Sequence, residues 1–211
     1  MEMTANSQER GARFWDRIAE KYARSPVSDQ AAYERKLEIT RRYLTLESEV
    51  LELGCGTGST ALLHAPFVEH IQATDISEKM IGIAREKAAG VENVTFERAS
   101  VEDIDAPAAG YDAVLALNLL HLLHDRDAAI AKVHRLLKPG GVFISGTFCA
   151  AGVMWLLWPV LKIGGLFGRL PYVGFFPKSA LLRSLERAGF EIVEDWHPGP
   201  RKAAFIVARK R

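Results

Sequence analysis

Three glycines spaced two apart, Gly54, Gly56 and Gly58, follow Glu52 and precede Asp75 by roughly twenty residues. Glycine reaches backbone dihedrals that side chains forbid and lets a ligand lie directly against the main chain. The run Ser59-Thr60-Ala61-Leu62-Leu63-His64 behind them is helix-compatible. A helix N-terminus there adds unpaired N–H donors and positive potential. The stretch therefore reads as a cradle for a polar or anionic ligand. Two histidines further on, His121 and His124, are able to take a proton near neutral pH. The bland alternative is a structural histidine at a strand end for His121 and a solvated one for His124. Cys55 and Cys149 are too few for a disulfide framework and lack metal-ligand spacing.

The elements that must position these groups alternate. Residues 50–53 read as a short buried strand feeding the glycine turn. Residues 70–74 form a second strand ending at Asp75, and 77–89 a helix with Ser77 as its cap and Gly90 past its end. Residues 93–98 form a third strand. Residues 111–117 form a fourth, nearly continuous in apolar residues as a strand buried on both faces should be. A helix over 125–137 stops at Lys138-Pro139-Gly140-Gly141, and 142–148 is a fifth strand. A helix over 177–188 precedes strands at 190–196 and 203–208, joined by a loop short enough for an antiparallel hairpin. The pattern predicts an α/β fold. Its doubly wound, Rossmann-like sheet of seven strands is mostly parallel, with ligands at the strands' carboxyl ends. Residues 1–8 read as a loose polar start. Helical stripes at 9–24 and 31–44 come before the first strand, and are either a layer on the sheet edge or a flap that brings Tyr22 or Tyr33 to the ligand.

At 211 residues, with 48% hydrophobic and 25% charged residues, the chain is expected to be one domain with a real core. Its parts are N-terminal helices (9–45), a cofactor-binding core (49–148), an apolar insertion (150–176) and a C-terminal helix and hairpin (177–211). A net charge of +1 gives no electrostatic case for nucleic acid. Cysteine usage and a charged, non-apolar start point to the cytoplasm.

The glycine spacing is not that of a dinucleotide turn, which wants glycine where Ser59 stands. Glu52-Leu53-Gly54-Cys55-Gly56-Thr57-Gly58 instead resembles the first motif of class I S-adenosylmethionine-dependent methyltransferases. Thr74-Asp75-Ile76-Ser77 resembles the family's acidic second-strand end. Tyr111-Asp112-Ala113-Val114, leading to Leu117, Asn118 and His121, resembles its fourth-strand motif. Leu136-Leu137-Lys138-Pro139-Gly140-Gly141 resembles the turn before the fifth strand, and Ala188-Gly189-Phe190 the start of the sixth. The resemblance runs in order over roughly two-thirds of the chain. It implies S-adenosylmethionine as cofactor, S-adenosylhomocysteine as product and no metal. It also implies a seventh strand inserted antiparallel beside the fifth. The backbone of Gly54, Cys55, Gly56 and Gly58 would approach the amino-acid end of the cofactor, with Glu52 toward its ammonium group. Asp75 would accept from both ribose hydroxyls, since one carboxylate presents two oxygens to a vicinal diol. Ile76 and Met80 would flank the adenine, though both also suit a core. Many relatives carry an acidic adenine partner after the third strand; here that place falls on Ser100, with the Val101 amide, or on Glu102 or Asp103 if the register shifts.

The acceptor is less legible. In-line displacement from a sulfonium needs alignment, and a base only where the acceptor must lose a proton. The sequence Leu117-Asn118-Leu119-Leu120 lacks the Asn/Asp-Pro-Pro-Tyr pattern of DNA and protein-glutamine methylation. No aspartate for a metal-dependent catechol site stands at that strand end. Residues 150–176 hold Trp155 and Trp158 and are more apolar than a surface connection needs. The segment reads as a lid over a hydrophobic acceptor, as a peripheral membrane contact or as a core or dimer contact. Pro159, Lys162, Gly164, Gly165 and Gly168 disfavour a spanning helix. The expected function is methyl transfer to a small, apolar molecule by a monomer or homodimer. Tyr22, Tyr33, His121, Trp155 and Trp158 are candidate substrate contacts, and His121 the candidate catalytic residue. The alternatives are a lipid or quinone methyltransferase at a membrane surface and a non-catalytic cofactor-binding regulator.

Overall fold

In the central strands successive side chains point to opposite faces, and here both faces are apolar, so the sheet must be covered on both sides. Leu51, Leu53, Val114, Ala116, Phe143 and Ile206 share one core; Val50, Ala113, Leu115, Val142, Ile144 and Val207 share the other. The computed structural model describes residues 2–104, 106–149, 172–199 and 202–211, with backbone alone for 2–7.

Its elements are α1 (Glu2–Arg24), α2 (Gln30–Arg41), β1 (Glu49–Leu53), α3 (Ser59–His64), β2 (His70–Asp75), α4 (Glu78–Lys87), β3 (Val94–Arg98), β4 (Tyr111–Leu117), α5 (Arg126–Leu136), β5 (Leu137–Thr147), α6 (Lys178–Arg187), β6 (Phe190–Trp196) and β7 (Ala204–Lys210). The seven strands lie in the order β3-β2-β1-β4-β5-β7-β6. All pairings from β3 through to β5 are parallel. The β7 strand runs antiparallel to both β5 and β6. This is the expected doubly wound sheet with its antiparallel hairpin. Strand order reverses between β1 and β4, and a crevice opens at their carboxyl ends. The first core is closed by α5 and α6 through Ile130, Val133, Leu181 and Leu185. The second is closed by α2, α3 and α4 through Ile39, Ala61, Ile81 and Ala84. Each fully buried valine, leucine or isoleucine among these stabilises the fold by about 1.5–3 kcal/mol.

Local chemistry explains where the helices start. Asp29 Oδ1 accepts from the Ala32 amide (3.1 Å), Ser77 Oγ from Met80 (3.1 Å) and Asp125 Oδ1 from Ala128 (2.8 Å). Two expectations need correction. The N-terminal residues are not a loose start: α1 is helical back to Glu2. Strand β5 begins at Leu137, so Lys138-Pro139-Gly140-Gly141 lies within it. The chain bends there, with Gly140 at φ +77° and a register shift against Tyr111 and Ala113 of β4. Lys138 is tied to Asp112 at 2.7 Å, and the Asp112 carboxylate also accepts from the Glu49 amide at 2.9 Å. The expected lid lies mostly in residues 150–171, including Trp155 and Trp158, outside the described residues.

Candidate active site

Strand β1 ends in three glycines with positive φ: Gly54 at +66°, Gly56 at +55° and Gly58 at +75°. Their reasons differ. A Cβ on Gly58 would stand 2.7 Å from Phe96 and 2.8 Å from Ala84, so this position is fixed by packing beneath α3. A Cβ on Gly54 would meet only the tip of Leu119 at 3.0 Å, and one on Gly56 would clear Tyr22 by 3.8 Å. Gly54 and Gly56 face a cavity of ≈ 810 Å³ at the crevice. That lies in the upper part of the range of about 300–1,000 Å³ typical of small-molecule sites.

The first end of the cavity is polar. Asp75, at the end of β2, accepts from the Gly56 amide on Oδ2 and from the Ser77 amide on Oδ1, both at 2.9 Å. Each oxygen keeps lone-pair capacity for a ligand donor. Burial pushes its carboxyl above the usual range, against the lowering effect of those two amides. Ile76 and Met80 continue the wall from Asp75, and Ala99, Ser100 and Val101 complete it after β3. The Ser100 hydroxyl is already engaged: it donates to Asp103 Oδ2 (2.7 Å) and accepts from the Asp103 amide (3.2 Å) and Gln8 (3.3 Å).

Behind this wall Glu52 is 2% exposed, and its Oε2 has no hydrogen-bond partner. Burial first, and Asp75 second, raise its carboxyl to about 8. A buried carboxylate without a partner is costly unless a cation or donor joins it. Glu52 also contributes to raising the phenols of Tyr22 and Tyr33, after burial in each case.

Helix α1 roofs the cavity with Gln8, Arg10, Gly11, Trp15 and Tyr22. Asp16 pins it, accepting from the Ser77 hydroxyl (2.6 Å) and the Lys79 amide (3.1 Å). Gln8 adds a second tie, donating to Ser100 and, at 3.1 Å, to Glu102.

The second end is apolar and begins where β4 stops. Asn118 turns the chain at φ +59° while its amide donates to the Gly146 carbonyl at 2.6 Å. A left-handed non-glycine residue is uncommon, and asparagine is among the few that adopt it readily. The turn projects Leu119, His121, Leu122, Leu123 and His124 along the cavity. Residues 172–176 close against it. The Gly174 amide donates to the His121 carbonyl at 2.7 Å, and Tyr172 stacks on His124 at 3.9 Å. The Arg126 guanidinium lies 4.2 Å over Phe176. Burial lowers the His121 imidazole's affinity for protons, and its Nδ1 is buried without a partner.

Of the residues expected from sequence, Gly54, Gly56, Asp75, Ile76, Met80, Ser100, Val101, Leu117, Asn118, Tyr22 and His121 line this one cavity. Glu52, Cys55, Gly58 and Tyr33 are not among its lining residues; Tyr33 bonds to Thr60 at 3.1 Å and the Cys55 thiol to the Gly56 carbonyl at 3.7 Å. Sequence reasoning missed Gln8, Arg10 and Gly11, because from the first helix it named only Tyr22 as a ligand contact. It also missed Thr74, Leu119 and Val173 among other wall residues. Among the described residues no group of three or more His, Cys, Asp or Glu is placed to hold a metal ion, and no helix is long and apolar enough to cross a membrane.

The family profile described as "Methyltransferase domain" matches residues 50–141. The chain is 33% identical over 100 residues to the uncharacterized methyltransferase YcgJ of Bacillus subtilis, covering 46% of this chain and 40% of that protein. It is 31% identical over 152 residues to a ubiquinone biosynthesis O-methyltransferase of Aromatoleum aromaticum, covering 69% of this chain and 64% of that one. It thus spans less than two-thirds of the length of these relatives. The crystal structure of the [4+2]-cyclase SpnF superposes with a TM-score of 0.80 at 21% identity, covering 97% of this chain and 96% of that one.

Proposed function

We propose that the chain is a class I S-adenosylmethionine-dependent methyltransferase and that it methylates a small, largely apolar acceptor. The observation that carries this reading is the continuity of the cavity at the crevice. It joins the glycine turn and Asp75 at one end to a leucine- and aromatic-lined wall after β4 at the other. Its size leaves room for more than one small molecule.

The residues present fit the cofactor. The partnerless Glu52 oxygen suits a cationic amino-acid end, and Gly54 and Gly56 let that end approach the main chain. The free lone pairs of Asp75 suit a ribose diol. Ile76 and Met80 supply an apolar face for a purine. Ser100, already saturated, leaves purine-edge recognition to backbone groups near Val101. When bound, the sulfonium supplies an electrophilic methyl group. The protein's part is to align an acceptor from the Leu119–His124 side and to keep water out under α1 and residues 172–176. The Aromatoleum relative's name, O-methylation in quinone formation, agrees with an apolar acceptor.

Calorimetric titration tests the cofactor. Binding of S-adenosylmethionine and S-adenosylhomocysteine is expected, without binding of NAD; tight NAD binding without the others contradicts it. The likeness to a [4+2]-cyclase favours one second reading, in which the same cavity shelters a rearrangement that consumes no methyl group. Formation of S-adenosylhomocysteine together with methylated product separates the two.

A further inference from the structure

We propose that His121 is the general base of an O-methyl transfer, taking the proton of a hydroxyl borne on a planar, largely apolar ring held at the β4 end of the cavity. This rests on the methyl-transfer reading above and names its acceptor and its base.

The position comes first. Leu119 reaches to within 3.0 Å of where a Cβ on Gly54 would stand, so the turn carrying His121 abuts the glycine cradle. That turn is held at several points. The Asn118 amide is bonded to Gly146, the Leu122 amide to Leu119 at 2.7 Å, and the His121 carbonyl accepts from Gly174. The His121 ring lies edge-on to Phe148, with centroids 6.3 Å apart, and it lines the cavity. A base needs this kind of fixed placement more than it needs a large basicity.

The wall around it selects the acceptor. Leu119, Leu122, Leu123, Val173 and Phe175 give it apolar surface, and the His124–Tyr172 stack gives it a flat aromatic side. Flat slots of this kind favour rings over chains. The only cation on the cavity wall among the described residues is Arg10, on α1. A carboxylate or phosphate acceptor would therefore find little to neutralise it, whereas a neutral hydroxyl needs only one acceptor for its proton.

The other candidate bases in the wall are engaged, the His124 ring by its stack on Tyr172. Asp75 is held by two amides, and Glu102 accepts from Gln8. The Tyr22 phenol is shifted up and is the wrong acid–base partner for a hydroxyl. Burial lowers the affinity of the His121 imidazole for protons, which favours its neutral, proton-accepting form, and because Nδ1 is shut off from the cavity the other ring nitrogen, Nε2, is the one left to meet a hydroxyl. In the transfer, the acceptor oxygen forms a bond to the methyl carbon as the sulfonium S–CH₃ bond breaks, its electron pair remaining on sulfur. The hydroxyl proton passes to the His121 imidazole, and the imidazolium releases it to solvent as product leaves.

The test uses the full chain with 2-naphthol and a series of ring-substituted 2-naphthols of increasing acidity. Wild type is expected to give the methyl ethers. His121→Ala should lose about 10²–10⁴-fold in kcat, with KM for naphthol and the calorimetric affinity for S-adenosylhomocysteine each within about threefold. That loss should shrink steadily as the naphthol becomes more acidic, because a better acid needs less help from a base. If His121→Ala does not fold, His121→Gln serves in its place, since it keeps volume and polarity but cannot act as a base near pH 7. A loss that is uniform across the acidity series, or activity within fivefold of wild type, would assign His121 a structural role and overturn the proposal. So would the absence of any naphthyl ether from a wild-type protein that binds cofactor. Failure to bind S-adenosylmethionine at all would instead overturn the methyl-transfer reading beneath it.

Discussion

Two buried ionisable residues, Glu52 and His64, give the protein opposite responses to pH. Glu52 is protonated at neutral pH while its site holds no cation, because burial and then Asp75 push its carboxyl up to about 8. A cationic cofactor favours the ionised form, so binding should expel a proton. Affinity for S-adenosylmethionine is expected to rise by up to about tenfold per pH unit below 8 and to level off above it. Titrations in buffers of different ionisation enthalpy measure the proton directly, and Glu52→Gln should abolish it. For the ligand-free fold the sign is reversed. The raised Glu52 contributes stability that is fully present below the ordinary glutamate range and is lost as pH rises through about 8. His64 is fully buried, both ring nitrogens lack partners, and burial lowers it to about 4. The unfolded chain takes up this proton below about 6.5 while the folded one resists to about 4. His64 should therefore cost stability as pH falls across that window, reaching about 3 kcal/mol at its lower end. Urea unfolding at pH 7 and pH 4.5 checks this; His64→Leu should be near neutral at pH 7 and flatten its part of the acid slope.

At the scale of elements, the cavity depends on how β1, β4 and α1 end or dock. Gly58→Ala combines a φ of +75° with a Cβ driven into Phe96 and Ala84, so a loss of about 2–4 kcal/mol is expected by chemical denaturation. Asn118→Gly should be tolerated, whereas Asn118→Val, forced into the same left-handed turn, should cost about 1–3 kcal/mol. Helix α1 is fastened through Asp16, which supplies a second acceptor at the start of α4. Asp16→Ala should speed release of S-adenosylhomocysteine in stopped-flow traces several-fold, with a stability loss of about 1 kcal/mol. These elements were unequally legible in the sequence. The strands of the parallel core, the glycine turn and the Ser77 and Asp125 caps announce themselves through apolar runs and short-range hydrogen-bonding side chains. The start of β5 does not, because Leu137 pairs with Tyr111 and Val142 with Ala113, so the strand carries across an unpaired Pro-Gly-Gly stretch where local propensity would end it. The first turns of α1 do not either. The first eight residues are mostly polar, so no apolar stripe marks them as helix.

At the scale of the whole molecule, the sheet order and its switch point place the cavity at the carboxyl ends of the strands. The polar half of the cavity is built from consecutive strand ends, so its residues sit in recognisable local motifs, as with Gly54, Gly56 and Asp75. The rest of the cavity is assembled from α1, the turn after β4 and residues 172–176, which are far apart in sequence. Spacing could nominate His121 and Tyr22 there, but could not bring Gln8, Leu119 and Val173 beside them. The central claim is that one cavity holds an S-adenosyl cofactor against the glycine turn with its far wall free for an acceptor. The most direct measurement is a crystal structure with S-adenosylhomocysteine. The account predicts density along Gly54 and Gly56, ribose hydroxyls on Asp75, the ammonium group toward Glu52, and open space beside His121. Cofactor density lying against the Leu119–His124 wall instead, or a ribose that leaves Asp75 untouched, would contradict it.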